Sequence, residues 1–256
     1  MSTSELLMTG WDWKPAVWIG CLALAAGHLW IVRARLSART LCFLGGVLLL
    51  LLDLVSPIDL LAEQYLFSAH VVQHFLLALV IPPLLLVTQT VLPSAWAPGR
   101  RQDRLPYLAW LAGVGTMILW HVPAAFNRAL ANQSLHIFEH LSLLATGVIF
   151  WWPILARRLS TLGAVSYLFG ACVCCSLLGA ALTFSPPGLY PAYLNPPDSN
   201  GILPLIRQGW GLDPATDQQL GGLLMWVPGC FVYLGAILAT VTRWYGTLEP
   251  ATSEEA

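Results

Sequence analysis

The sequence predicts an all-α polytopic membrane protein: a bundle of seven transmembrane helices, N-terminus outside and C-terminus cytoplasmic. Three observations predict it. The 256 residues are 57% hydrophobic and only 10% charged, with mean hydropathy +0.69, whereas a soluble domain carries about 25% charged residues. Apolar runs of roughly the 20 residues that a spanning helix needs recur along the chain. Positive charges collect on alternate connections between those runs. The net charge of −1 and the lack of a basic patch exclude a nucleic-acid binder. The six cysteines lie in apolar runs and do not form a disulfide scaffold.

The predicted spans, in order, cover about 16–33, 40–60, 67–92, 106–126, 135–156, 163–184 and 219–242. Their length and lack of alternation exclude strands. Pro82, Pro83, Pro123 and Pro153 fall inside runs. They read as kinks, since neighbouring helices can satisfy the carbonyls that proline frees. Nine arginines (Arg33, Arg35, Arg39, Arg100, Arg101, Arg104, Arg157, Arg158 and Arg243) fall on one side, against Lys14, Arg128 and Arg207 on the other. That bias orients the bundle. Acids before the first run and arginines after it are the reverse of a cleaved leader. Residues 1–246 form the membrane domain, and 247–256 a short acidic cytoplasmic tail. The one long outer connection, 185–218, holds seven prolines between Pro186 and Pro214. It reads as stiff, non-helical chain able to fold back as a lid.

Ionisable residues inside spans point by default to a functional site. His70 and His74 fall at the outer end of span three, His121 at that of span four, and His136, Glu139 and His140 in the outer turns of span five. His70/His74 and His136/His140 are i,i+4 pairs, which share a helix face. Met117 lies one turn beneath His121, and Met225 lies inside span seven near the face of Gln218. Five imidazoles at one depth, with thioethers below, make a borderline-to-soft ligand set. It suits copper, above all Cu(I), and admits zinc or iron. Asp53, Glu139 and Asp217 are placed to orient the rings from behind. His28, near the cytoplasmic end of span one, reads as a structural histidine. Cys172, Cys174 and Cys175 read as small apolar residues before they read as ligands.

Other classes fit less well. Lys14 is the only lysine and precedes the first span, so no retinal Schiff base forms. His136-x-x-Glu139-His140 matches a short zinc-protease string, but a protease also needs an open water position. Histidine-box desaturases use more histidines, on the cytoplasmic side. A single outer haem held by two facing histidines remains an alternative. So does a metal-free scaffold.

The segment Phe67-Ser-Ala-His70-Val-Val-Gln-His74 running into Pro82-Pro83, with Leu119-Trp120-His121-Val-Pro123 and His136-Ile-Phe-Glu139-His140, resembles the multi-span CtaG-type cytochrome c oxidase assembly proteins. Phe150-Trp151-Trp152-Pro153, Leu189-Tyr190-Pro-Ala-Tyr193 and Asp217 to Trp226 fit the same pattern. The likeness runs from about residue 50 to 235, over several motifs in order. It implies a non-enzymatic assembly role in the bacterial inner membrane: supplying copper to a haem–copper oxidase, with oxidase subunits and a periplasmic copper chaperone as partners. His70, His74, His121, His136 and His140 carry over as the family's histidines. Val71 stands where the family pattern usually has Met.

Overall fold

Helix ends in this chain are set by hydroxyl caps and prolines. The structure, a computed structural model, describes residues 2–88 and 104–246. Arg100, Arg101, the far end of the expected third span and the acidic tail lie outside the described residues. Helix α1 (Thr3–Thr9) opens on a capping box in which the Glu5 amide donates to Ser2 Oγ and the Ser2 amide to the Glu5 carboxylate. The hydropathy reading missed this helix, since seven residues are too few to register. It buries Leu6 against Tyr65, Ile202 and Ile206. Pro15 begins α2 (Pro15–Ile31), and Ser37 caps α3 (Ala38–Val55). The second span was expected to reach residue 60. Instead Ser56 turns extended before Pro57 and caps a separate α4 (Pro57–Gln64).

α5 (Phe67–Phe75) passes through one wide π turn (Leu76–Val80) into α6 (Ile81–Leu86). Pro82 lacks the N–H that would meet the Ala78 carbonyl, and Trp151 Nε1 donates to that carbonyl at 3.3 Å instead. Pro82 and Pro83 are thus absorbed into a continuous helix, and Pro153 sits within α9 (Gln133–Leu155). Pro123 behaves otherwise. Val122 adopts an extended conformation, and α7 (Leu105–His121) and α8 (Pro123–Leu130) meet at 74°. Here the expected kink is a break. The Asn132 side chain caps α9 through the Leu135 amide.

α10 (Thr161–Phe184) and α11 (Pro214–Tyr245) are the most extensively packed pair. Gly179 and Gly222 permit it: a Cβ on Gly179 would sit 2.8 Å from the Gly222 carbonyl oxygen. α11 contains Pro228, which the sequence reading did not single out. It begins at Pro214, so the long connection expected over 185–218 spans 185–213.

Five of these helices are long and apolar enough to cross a membrane: α3, α5–α6, α9, α10 and α11. A sixth is added if the bent α7–α8 pair is one span, and α2 is apolar but shorter. The chain is an all-α, multi-pass membrane protein with five or six candidate spans by length, against the seven expected. Within the spans, α5–α6 is the most buried, at 61% of its window, and forms the centre of the bundle. α9 and α11 pack against it.

Candidate metal centre

The central helix begins on a borrowed cap. Leu66 supplies no side-chain acceptor for the first amides of α5. Asp217, from α11, takes their place: the Phe67 amide, the Ser68 amide and the Ser68 hydroxyl donate to it at 2.7, 3.1 and 2.5 Å. A carboxylate on a helix N-terminus also meets the positive end of the helix dipole. Asp217, expected behind the imidazoles, therefore acts one step away, by fixing the turn from which His70 projects.

One and two turns along, His70 and His74 stand edge-on with ring centroids 4.5 Å apart. His136 and His140 on α9 are 4.3 Å apart. The two pairs face each other: His70 lies 5.2 Å from His136 and 5.7 Å from His140. His121, at the end of α7, lies 5.0 Å from His74. All five rings are buried, His70 and His74 completely. Glu139 is also fully buried, with Oε1 3.2 Å from His74 Nε2 and Oε2 3.7 Å from His70 Nε2. These contacts miss hydrogen-bond geometry, and both oxygens lack a hydrogen-bond partner. One ligand atom from each of His70, His136, Glu139 and His140 lies within 4.8 Å of the others.

The rings are held from behind. His121 Nδ1 donates to the Met117 carbonyl at 2.7 Å, leaving a buried, unpartnered Nε2. His70 Nδ1 meets Tyr193 Oη at 3.1 Å and the Ala62 carbonyl at 3.4 Å, while its Nε2 faces His74 Nε2 at 2.9 Å. His136 Nδ1 lies 3.6 Å from Glu63, with Nε2 unpartnered, as is His140 Nε2. Orphaned nitrogens and a buried carboxylate are costly in a low-dielectric interior. A bound cation is the group that would satisfy them together, so the donor set fits a metal.

Polar support surrounds the cluster. Lys14 donates to Asp59 at 2.5 Å and to Glu63 at 3.0 Å. Burial pulls the Lys14 pKa down, but these two carboxylates outweigh it and hold the ammonium above its ordinary range. Burial raises the Asp59 pKa and Glu63 adds to the rise, against Lys14 and Gln73. Gln73 donates to Asp59 and to the Asp53 main-chain carbonyl. Asp53 does not join the cluster: its carboxylate oxygens are buried with no hydrogen-bond partner, and among the described residues it pairs with no histidine.

The 185–213 connection is tied across the cluster. Gln218 receives the Gly188 and Leu189 amides and donates to the Ser185 and Pro186 carbonyls. Tyr190 stacks on Phe67 and donates to the His121 carbonyl at 2.8 Å, beside the break at Pro123. Tyr193 donates to the Ala62 carbonyl at 2.7 Å. Burial raises its pKa well above the tyrosine range, so it remains a donor. Tyr193 and Glu63 were not picked out as site residues from sequence. The one signal for Tyr193 was its place in a Tyr-Pro-Ala-Tyr string amid prolines.

Met117 lines a small apolar cavity with Phe150, Cys175 and Tyr233, and Met225 is buried in the core. His28 stacks on Phe43 at 4.0 Å, away from the other histidines. The cysteine triplet does not act as a group: Cys172 Sγ lies 3.5 Å from Cys230, and Cys175 faces Tyr233.

A multi-pass helical bundle that buries histidines and a carboxylate beneath a tied strap defines a membrane protein with a candidate metal centre. The family model for the cytochrome c oxidase caa3 assembly factor (Caa3_CtaG) matches residues 24–247, and the chain belongs to that family. No curated protein and no solved structure matches it.

Proposed function

We propose that this assembly factor takes up copper on the outer side of the membrane and passes it to a haem–copper oxidase by ligand exchange. The observation that carries the reading is the set of inward-facing donors of His70, His136, Glu139 and His140, with unpartnered nitrogens and a fully buried carboxylate. His74 and His121 extend that set. Imidazole donors favour copper, zinc or iron over Mg or Ca. The oxidase role of the family supports copper among these. In this reading the bundle has seven spans, counting α2 and the bent α7–α8 pair. The N-terminus faces outward and the C-terminus the cytoplasm of a bacterial inner membrane, so that the arginines lie inside. Residues 1–246 make the membrane domain, and the tail from 247 has no part in the site. Copper arrives from a periplasmic chaperone, and oxidase subunits receive it. No substrate bond is made or broken, so the protein is not an enzyme.

The experiment is elemental analysis with a visible spectrum of the purified protein, beside oxidase copper in a deletion strain. At least one copper per chain, reduced in His70→Ala, with copper-deficient oxidase in the deletion, is the expected result. A Soret band would overturn it in favour of haem. A metal-free protein that still restores oxidase would overturn it in favour of a scaffold.

A further inference from the structure

Six side chains converge on this centre, more than one copper or zinc ion bound by imidazole takes. Their arrangement divides at Glu139. Its Oε2 faces His70, and its Oε1 faces His74. On the first side, His70, His136 and His140 complete a mutually close set with the carboxylate. On the second, His74 lies at its shorter distance from the carboxylate. His121 stands edge-on to it with a buried Nε2 that has no partner. Among the histidine rings, His121 meets that of His74 alone. A single ion placed among the first four donors leaves His121 Nε2 unsatisfied. One placed at His74 and His121 leaves His136 and His140 unsatisfied.

We propose that the centre binds two ions at once, bridged by Glu139: one on His70, His136 and His140, the other on His74 and His121. This rests on the metal-binding reading above and deepens it. The two positions differ in kind. The first has four protein donors, which would fill a four-coordinate site. The second has three and leaves a position open to an incoming ligand. The four-donor position therefore retains its ion, and the three-donor position, beside the α7–α8 break, exchanges its own. A carboxylate that spans two ions about 3.5–4 Å apart is a recurrent arrangement for such pairs.

The test uses the full-length protein in detergent, stripped of metal and titrated with Cu(II). Two coppers per chain are expected, with a copper–copper distance near 3.5–4 Å by X-ray absorption and an electron spin count below the copper content. His121→Ala should lose one copper, the weaker, and with it the spin coupling. Glu139→Gln should abolish the coupling in a protein whose elution and helix content match wild type. If His121→Ala misfolds, His121→Gln reports the same loss with the ring volume largely kept. Saturation at one copper per chain would overturn the pair while leaving the single-ion reading standing. No copper at all would overturn both. Two coppers without coupling, or both lost together in His121→Ala, would also refute the bridge.

Discussion

Replacing Tyr193 by Phe tests whether the strap over 185–213 governs the centre. The ring stays, packed near Phe67 and Phe126, and only the hydroxyl is removed. That hydroxyl donates to the Ala62 carbonyl at 2.7 Å and meets His70 Nδ1 at 3.1 Å. Each neutral hydrogen bond contributes about 0.5–1.5 kcal/mol net. The Ala62 carbonyl does not stay orphaned, because His70 Nδ1 already lies 3.4 Å away and can close on it. The stability loss should then be about 1–2 kcal/mol. Closing that gap turns the imidazole, and the loss of a partner behind a ligating histidine typically lowers metal affinity about 10–100-fold. Since His70 keeps one carbonyl partner, the low end applies: about tenfold, or 1.4 kcal/mol. Competition for Cu(II) against a chromophoric chelator reads the affinity, and thermal melting reads the stability. Tyr190→Phe is the comparison. Its hydroxyl holds the His121 main-chain carbonyl and no ring nitrogen, so it should cost similar stability with a smaller change in affinity. Equal affinities for wild type and Tyr193→Phe, in a folded protein, would refute the reasoning.

Three further outcomes follow from the same geometry. Asp217→Ala strands two buried amides and a hydroxyl at the start of α5, and should destabilise by about 3–5 kcal/mol. Asp217→Asn should recover part of this in a melt. Lys14→Met removes the cation between Asp59 and Glu63 and should cost about 1–3 kcal/mol, less than a fully buried pair because Lys14 is partly exposed. The Lys14 pKa lies above its ordinary 10.5 in the folded protein. Its contribution is therefore complete below about pH 10 and lost as pH rises through the raised value. The wild-type advantage over Lys14→Met should hold from neutrality to about pH 10 and shrink above it. A gap that closes nearer pH 7 would contradict the pairing. Gly222→Val forces a side chain into Thr183 and the Gly179 backbone. It should part α10 from α11 at a cost of about 1–3 kcal/mol or more, read as a lower melting temperature.

The parts of this molecule that were legible in sequence are those encoded by short-range periodicity. An i,i+4 pair fixes its own geometry within one helix, so His70/His74 and His136/His140 could be paired by spacing alone. Glu139 was expected from sequence to orient the rings from behind, whereas its carboxylate lies among the donor atoms, between two imidazoles from α5. What spacing could not reveal is pairing across the chain. Asp217 caps Phe67 and Ser68 from about 150 residues away, and nothing local at either end announces it. The prolines show the same limit. Pro82 and Pro123 look alike in an apolar run, yet one is absorbed and the other breaks the helix. At Pro82 the freed Ala78 carbonyl is answered by Trp151 on a packed neighbour, and the helix continues. At Pro123 the preceding Val122 is extended and its own amide takes the Leu119 carbonyl, so the helix ends. Tyr190 on the strap then meets the His121 carbonyl that the break leaves over.

That last contact ties the strap to the site at two independent points. Tyr193 meets the ring of His70 and Tyr190 the backbone of His121, so the strap grips two of the three helices that carry imidazoles. Gln218, the next residue after Asp217, holds the strap's near end with four hydrogen bonds, while Asp217 holds the start of α5. One turn of α11 thus positions both the closing segment and the first histidine-bearing helix. Lifting the strap would free the His121 carbonyl and the back of His70 in the same movement, loosening imidazoles on both sides of Glu139. A site that must bind a metal firmly and then surrender it needs such a coupling between access and ligand order, because rigid ligands beneath an open mouth would retain their ion. In the proposed copper exchange, two tyrosine hydroxyls would make that coupling rather than any of the six clustered donors.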